Sequence, residues 1–506
     1  MTALKRLLPL GIALVTIASA AATGTEEASG TEEPLRLTML LAIHESWPYQ
    51  EDLPMWEWIE EEMNVEFDVQ TSSWGAMVEA INLNVAAGSM PDLTYFTQLR
   101  DAKKFGQDGV LANILDYTDQ MPNFSSWMGR YPGVVEAFLA ADRGLYMYPN
   151  EGFGEANRII WMYRDDIFEQ HGLSTPDTYD ELYEVAKTLK GIYPESYPFT
   201  VWGGLTHMLL WTTPQFDTTS PYWYDGNGFY RDAAGVVQYG PATDNFRELL
   251  RHLNRFHEED LMPPDWLTLS QPQYQNMVAT DNTFITVDFL AMIGVLLPPL
   301  QQENPSFSMR FAPPPAGIPG SNRNIYFTIL KQGLSVSSQS DHVPQIMQAY
   351  DWFYSEDARQ LVSWGRDDAL FVDGGDGSRI INPTYADVSA VRAQTGWSTN
   401  GAYIWYDFNA WLVPSVPEMR DAYQQAWDGG YDEEPRTPPR LTAEEQRDSV
   451  VTQEAILKHA EANIVKFITG DRSLSEWSAY VGELNDLGLD DMTALAERAY
   501  SRADAQ

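Results

Sequence analysis

The chain has 506 residues, 44% of them hydrophobic, which is enough for two or more domains with large apolar cores. Its 72 acidic and 32 basic residues give a formal net charge of −40. This balance argues against a nucleic-acid partner, because phosphate binding needs clustered Lys and Arg. No Cys is present, which excludes disulfides, thiolate metal sites, cysteine nucleophiles and a lipid-anchored N-terminal Cys.

The basic residues are themselves unevenly divided, with 8 Lys and 24 Arg. An acidic surface with little Lys favours a halophilic protein, since at about 1 M salt a Debye length of about 3 Å screens the self-repulsion. An ordinary acidic soluble protein is the alternative. An anionic polymer would be repelled unless a local basic pocket overcame the field of the whole molecule.

The N-terminus has the pattern of an export signal. Lys5 and Arg6 precede an apolar run over 7–18, and small residues follow to residue 22. The run is too short to span a bilayer, which needs about 20 residues. We therefore predict a cleaved signal peptide over 1–22 and a flexible leader over 23–34. The mature protein is expected in the periplasm, and not as a lipoprotein.

The first third of the mature chain alternates strands and helices. Hydrophobic periodicity predicts strands over 35–41, 65–69 and 93–96, with helices over 55–63 and 74–87 between them. This alternation favours a parallel, doubly wound sheet.

Further along, a capping box of Thr178 and Glu181 opens a helix to about residue 190, and Thr442 with Glu445 opens another that ends at Gly470. The proline-rich stretch over 311–320 is predicted to be a crossing segment. The remaining predictions are strands over 158–164, 283–287 and 325–330, helices over 165–171, 245–256 and 343–364, an irregular segment over 200–230, and a final helix pair around 477–484 and beyond 488.

Sequence motifs for catalysis and cofactors are missing. The stretch over 333–337 lacks the second glycine of a nucleophile elbow, His257 begins no zinc-binding helix motif, and Gly152-Phe153-Gly154 lacks the third glycine of a dinucleotide loop. The loops at Asp225 and Asp373 lack the bidentate Glu of a calcium site and are predicted to be tight turns. We predict no enzyme, cofactor or metal, although a spatial carboxylate pair for glycoside hydrolysis stays open.

Aromatic residues are plentiful, with 17 Trp and 26 Tyr. Several fall in the segment over 200–230, which is rich in loops. A carbohydrate cleft keeps flat aromatic faces open because the C–H face of a sugar packs on them. The alternative is that these rings belong to the core. The rings in question are Trp202, Trp211, Tyr222, Trp223 and Tyr224.

The sequence resembles the family 1 extracellular solute-binding proteins of ABC importers, in particular the large oligosaccharide-binding subgroup. The similar stretches follow the family's order and span nearly the whole mature chain. They are residues 91–93, 160–168, 172–182, 350–355, 364–365, 467–470, 480–481 and 487–489. Some relatives carry a calcium loop after the helix that ends near Lys190, but residues 191–198 here lack its Asp and Asn residues.

The resemblance implies an α/β, two-lobed periplasmic-binding-protein fold of type II, with a mixed sheet flanked by helices in each lobe and the ligand in the cleft between them. The expected boundaries are 35–148 plus 308–364 for the first lobe and 149–307 plus 365–506 for the second. Ligand would shift an open–closed equilibrium, and the closed form, a monomer, would dock on the membrane permease subunits.

Candidate ligand-binding residues follow from the loops expected at strand ends in the cleft. The resemblance adds that relatives place a stacking ring near Tyr95 and Phe96, and an aromatic or polar contact near Asp288 and Phe289. The full set is His44, Glu45, Trp47, Tyr95, Phe96, Trp202, Trp211, Trp223, Asp288, Phe289, Trp364, Arg366 and Trp405.

The expected function is that of a non-catalytic receptor for an oligosaccharide or glycoside. Two alternatives stay open: a secreted carbohydrate-active hydrolase that shares the aromatic cleft, and a binding protein for a peptide or another non-sugar solute.

Overall fold

The structure is a computed structural model. It describes residues 33–43, 47–151, 153–222, 228–327, 331–375, 378–398, 404, 406–433, 436 and 438–505. The predicted signal peptide, and all but the last two residues of the predicted leader, lie outside the described residues. None of the helices in the described ranges combines the length and the apolar character needed to cross a bilayer.

The strands are β1 Leu35–Ile43, β2 Val65–Ser73, β3 Leu93–Phe96, β4 Ile159–Arg164, β5 Phe199–Thr200, β6 Phe229–Arg231, β7 Val237–Tyr239, β8 Ile285–Phe289, β9 Met309–Ala312, β10 Asn324–Ile325, β11 Gly333–Val336, β12 Phe371–Asp373, β13 Arg379–Ile381 and β14 Asp432–Glu433.

The α-helices are α1 Pro54–Met63, α2 Met77–Ala87, α3 Leu99–Gln107, α4 Pro122–Arg130, α5 Pro132–Phe138, α6 Phe153–Ala156, α7 Asp165–His171, α8 Tyr179–Ile192, α9 Gly204–Thr212, α10 Asp244–Glu258, α11 Gln271–Ala279, α12 Met292–Glu303, α13 Val343–Asp351, α14 Glu356–Trp364, α15 Val388–Thr395, α16 Phe408–Leu412, α17 Pro417–Gly429, α18 Ala443–Thr469, α19 Trp477–Asp486 and α20 Leu489–Asp504.

The first sheet has the strand order β11-β3-β1-β2. β1 pairs in parallel with both β2 and β3, while β11 joins β3 in the antiparallel sense. The parallel pairing predicted for the first third of the chain is therefore confirmed. The late strand β11 makes the sheet mixed.

The second sheet has the order β5-β8-β4-β9, with β4 antiparallel to both β8 and β9. Alternate residues of a strand point to opposite faces. Ile160 and Met162 accordingly join one core, which also contains the interior of the first sheet, whereas Ile159 and Trp161 join the other. Two α/β layers with mixed sheets result, and the predicted fold class is confirmed.

The chain passes between the sheets more than once. β9 belongs to the second sheet and β11 to the first, so the chain returns to the first sheet between residues 312 and 333. β10 pairs with β14, and Glu151 pairs with residues 404 and 406 through their backbones. The lobe boundaries expected from the sequence stay a prediction, because sheet membership alone does not define a rigid lobe.

The predicted irregular segment over 200–230 is wrong in part, since it contains helix α9. Residues Met208 to Thr212 are all buried and Thr206 is the single exposed residue of the helix, so it has almost no polar face. Such a helix lacks the amphipathic period from which helices are predicted. The predicted strand over 283–287 is observed as Ile285–Phe289, which places Asp288 and Phe289 inside the strand, opposite Ile160 and Ile159.

The predicted helix over 343–364 is two helices. α13 ends at Asp351, and the hydroxyl of Ser355 accepts a hydrogen bond from the backbone N–H of Ala358 at 3.1 Å, which begins α14. Both predicted capping boxes lie at helix starts, and in the second the carboxylate of Glu445 also accepts from the backbone N–H of Thr442 at 2.8 Å.

Candidate ligand-binding site

Trp202 and Phe289 lie where the two cores meet, because each side chain is half-buried and packs against both. They are connected through Trp211, whose ring is 5.9 Å from Trp202 and 5.6 Å from Phe289 between centroids. His207 completes this group, with its imidazole 4.1 Å from the Trp211 ring. We call these four residues the Trp202 cluster.

A pair of glycines positions the Trp202 cluster. Gly203 and Gly204 both have positive φ, at 82° and 64°, and they turn the chain from β5 into helix α9. A Cβ atom on Gly204 would lie 2.5 Å from the carbonyl oxygen of Leu267, so a larger residue does not fit there. The turn brings Nδ1 of His207 to 3.1 Å from the carbonyl oxygen of Trp202.

His207 is a neutral donor in this cluster. Burial lowers the pKa of His207 to about 4, and the hydrogen bond to the Trp202 carbonyl offsets only part of that effect. At neutral pH the imidazole is therefore uncharged, and Nδ1–H donates to the carbonyl oxygen.

The carboxyl group of Asp288 lies fully buried beside the cluster. One of its oxygens accepts from the backbone N–H of Phe289 at 2.7 Å, and Oδ2 has no hydrogen-bond partner among the described residues. The indole N–H of Trp202 and the hydroxyl of Tyr274 adjoin the carboxyl, but neither makes a hydrogen bond of good geometry. Burial raises the pKa of Asp288 to about 7, an effect that these neighbouring donors partly oppose.

Two candidate rings of the first sheet are buried inside it. Tyr95 and Phe96 are the last residues of β3 and are 4% and 0% exposed. Trp74 packs edge-on against Tyr95 with centroids 5.7 Å apart, and Phe105 lies 6.1 Å from Phe96. In this conformation the two residues contribute to the core of the first sheet.

A second group surrounds Arg392 on helix α15. The guanidinium carbon lies 4.6 Å from the Trp47 ring centroid and 4.4 Å from that of Trp411, with Trp397 at 5.9 Å. Trp47 is half-buried, whereas Trp397 and Trp411 are buried. We call these four residues the Arg392 cage.

The candidates at the end of α14 have partners within the protein. The indole N–H of Trp364 donates to Asp407 at 3.1 Å, and the guanidinium of Arg379 lies 4.7 Å from the Trp364 ring. Arg366 forms ion pairs with Glu61 and Glu62 on α1, so its charge is already compensated.

Four candidates, His44, Glu45, Trp223 and Trp405, lie outside the described residues. Of the others, Trp47, Trp202, Phe289, Trp364 and Arg366 keep part of their surface open. Tyr95, Phe96, Trp211 and Asp288 are buried. The role of each of these residues as a ligand contact stays a prediction.

Sequence reasoning missed His207, Tyr274, Arg392 and Trp411. A single His in an apolar helix carries no pattern that reveals its stacking partner. For Arg392 the one available signal is that no Asp or Glu occurs between Asp387 and Asp407 in an otherwise acidic chain. Within the described ranges, no group of three or more His, Cys, Asp or Glu could hold a metal ion.

Comparison with known proteins supports the resemblance noted in the sequence. Residues 48–360 match the model of the bacterial extracellular solute-binding protein family. The polygalacturonan/rhamnogalacturonan-binding protein YtcQ of Bacillus subtilis strain 168 is 20% identical over 369 residues, which covers 70% of this chain and 71% of that protein. The fructooligosaccharide ABC transporter substrate-binding protein FusA of Streptococcus pneumoniae serotype 4 is 22% identical over 40% of each chain.

Solved structures share the fold over almost the whole length. The alginate-binding protein AlgQ2, crystallised without calcium ion, has a TM-score of 0.76 at 19% identity and matches 94% of this chain and 100% of its own. FusA of S. pneumoniae in complex with kestose has a TM-score of 0.72 at 17% identity, with 93% and 99% covered. Because the family model matches more than half of the sequence, the chain belongs to the bacterial extracellular solute-binding protein family.

Proposed function

We propose that this protein is the substrate-binding component of an ABC importer and that it binds an oligosaccharide between its two lobes. The observation that carries the proposal is the Trp202 cluster, in which two half-buried aromatic side chains contact both cores. A ligand at this junction would touch both lobes only when they are close together. Binding would therefore favour a closed form of the protein.

Aromatic side chains at the junction suit a saccharide. Sugar rings present apolar C–H faces that pack on indole rings, while polar groups at the edge bind the hydroxyls. YtcQ, AlgQ2 and FusA are named for the binding of polygalacturonan, alginate and fructooligosaccharide. These names include both acidic and neutral saccharides, so they support the ligand class without fixing its charge.

Among the candidate residues, we propose that the half-buried ones make the contacts with ligand. Trp202 and Phe289 would contact the ligand from the side of the second sheet, and Trp47 and Trp364 would contact it from the side of the first. The proposal includes export to the periplasm through the signal over 1–22, release as a soluble monomer, and delivery of the ligand to permease subunits in the membrane.

A ligand panel tests the proposal. Purified protein is screened by thermal shift with neutral and acidic oligosaccharides, peptides and small non-sugar solutes, and hits are measured by calorimetry. We expect saturable binding of one saccharide class, a change in Trp fluorescence, and no product after prolonged incubation. Release of shortened saccharide would instead establish a hydrolase, and binding of peptides alone would contradict the saccharide assignment.

A pair of variants locates the site. Trp202→Ala removes a contact at the junction and should weaken saccharide binding about 30-fold, which corresponds to about 2 kcal/mol for a residue that dominates binding. Trp352→Ala is the matched control, because Trp352 is also half-buried but packs against the first core alone. Equal affinities of the two variants would place the ligand elsewhere.

A further inference from the structure

Arg392 differs from the other buried arginines of the described chain in having no anionic partner. Arg158 is 3% exposed and forms ion pairs with Glu155 and Asp432, while Arg164 is 1% exposed and pairs with Asp166 and Asp281. Arg392 is 9% exposed, and none of the described Asp and Glu residues forms an ion pair with it. A buried charge is costly unless it is paired, so this exception requires a physical explanation.

The Arg392 cage compensates the charge only in part. Two indole faces, of Trp47 and Trp411, lie within 5 Å of the guanidinium and stabilise it through cation–π contacts. Nε is nevertheless buried without a hydrogen-bond acceptor among the described residues. Burial lowers the pKa of Arg392 to about 10, so the side chain still carries its charge at neutral pH.

The cage adjoins elements that belong to both sheets. Trp47 follows β1 of the first sheet after a short loop. On the other side, Tyr423 is among the titratable neighbours of Arg392, and it belongs to helix α17, which packs against β9 of the second sheet. The hydroxyl of Tyr423 donates to the carbonyl of Glu155, just before β4. A group that reached Arg392 from solvent would thus lie near elements of both sheets, as the proposed ligand does.

We propose that Arg392 binds a carboxylate group of the ligand, so that the saccharide recognised by this protein contains uronic acid. The inference deepens the proposed function and rests on it. A guanidinium presents parallel N–H donors that match the two oxygens of a carboxylate, which an ammonium does not. The half-buried Trp47 ring beside it offers an apolar surface for the sugar that carries the carboxylate.

The net charge makes such a cation necessary for an acidic ligand. A protein with a formal charge of −40 repels anions at long range, although salt screens this field beyond about 8 Å at physiological ionic strength. A carboxylate that entered the cage would exchange water for an unpaired cation in a site of low dielectric constant, where the attraction is strongest. A buried arginine therefore favours a carboxylate locally, against the net charge of the whole molecule.

The experiment compares two ligands with the same sugar backbone, one with free carboxylates and one in which each carboxylate is neutralised as a methyl ester. Binding of trigalacturonate and of its fully methyl-esterified form is measured by calorimetry on the full mature protein. A neutral glucose trisaccharide and its sulfated derivative are the further arms. We expect the acid to bind at least tenfold more tightly than the ester. Arg392→Gln should weaken binding of the acid at least tenfold and change the affinity for the ester less than threefold. The affinity of Arg392→Lys for the acid should fall between those of the unaltered protein and Arg392→Gln.

Arg143→Gln is the control for net charge. It removes the same charge from a side chain that is 51% exposed and paired with Glu136, and it should leave both affinities unchanged. If Arg392→Gln fails to fold, as its melting temperature without ligand would show, the comparison of acid and ester on the unaltered protein still decides the question.

Each of the other possible results refutes a specific part of the proposal. Equal affinities for acid and ester, or binding of neutral saccharides alone, would refute the uronic acid and leave oligosaccharide binding intact. A preference for the acid that Arg392→Gln does not change would refute the role of Arg392. Preference for the sulfated arm over the acid would refute the carboxylate. If no saccharide of any class binds, the proposed function itself fails.

Discussion

The imidazole of His207 stacks on the indole of Trp211, with ring centroids 4.1 Å apart and planes inclined by 23°. Trp211 is only 1% exposed, and both rings of the stacked pair pack edge-on against Trp202. Aromatic residues of one segment thus divide into those that form the core and those that reach the junction.

Trp211→Ala should destabilise the protein whether or not ligand is present. Loss of a buried Trp costs about 3–5 kcal/mol through lost burial and the cavity left behind. The melting temperature without ligand should fall well below that of the unaltered protein, and below that of Trp202→Ala. An unchanged melting temperature would show that Trp211 is not a core residue in solution.

Asp288 should make stability depend on pH. Its folded pKa of about 7 lies above the value of about 3.9 for an unfolded Asp. The native state therefore holds the proton more tightly, and the resulting stability is full below about pH 4 and is lost as pH rises through 7. At about 1.36 kcal/mol per pKa unit, the loss is at most about 4 kcal/mol.

Denaturant unfolding of Asp288→Asn at pH 5 and pH 8 measures this effect. The stability of the variant relative to the unaltered protein should be higher at pH 8 than at pH 5. Asp119→Asn, a substitution of an exposed residue, should show no such change between the two pH values. A constant difference for Asp288→Asn would mean that the carboxyl titrates outside this range.

Arg164 should contribute strongly to stability. Its guanidinium makes two hydrogen bonds of 2.8 Å to the carboxylate of Asp166 and one of 2.6 Å to Asp281. Arg164→Met should cost about 3–5 kcal/mol, because it leaves a carboxylate in a largely buried site without its partner. Arg143→Met breaks an exposed pair and should cost about 1 kcal/mol or less. Equal losses in urea unfolding would contradict this reading.

Stability should rise with salt. The formal charge of −40 makes acidic side chains of the molecule repel one another. The Debye length, over which this repulsion acts, falls from about 30 Å at 0.01 M to about 3 Å at 1 M salt. The melting temperature should increase across this range as repulsion is screened. Sucrose at matched osmolarity, which acts through exclusion from the surface, should raise it less. A flat or falling melting temperature would refute the halophilic interpretation.

Local pattern was enough to predict the alternation of strands and helices in the first third of the chain, although not strand β11. The spacing of apolar residues along a helix or strand reflects which of its faces is buried, and this spacing is visible in the sequence itself. Both helix starts were predicted because their caps join residues three positions apart, Thr178 with Glu181 and Thr442 with Glu445, although only the second forms the full capping box. Helix α9 was missed because its buried residues follow one another, with Thr206 as the single exposed residue, and so define no amphipathic period.

The sequence by itself determined the alternation of strands and helices through its hydrophobic periodicity, the family and its two-lobed fold through resemblance, and the supply of aromatic side chains through composition. Only the tertiary structure decided which rings are core and which are open. Trp47 and Arg392 are far apart in the chain, and the fold brings the guanidinium to 4.6 Å from the ring centroid. Whether a buried cation has a partner depends on distances across the fold, and no local spacing encodes them.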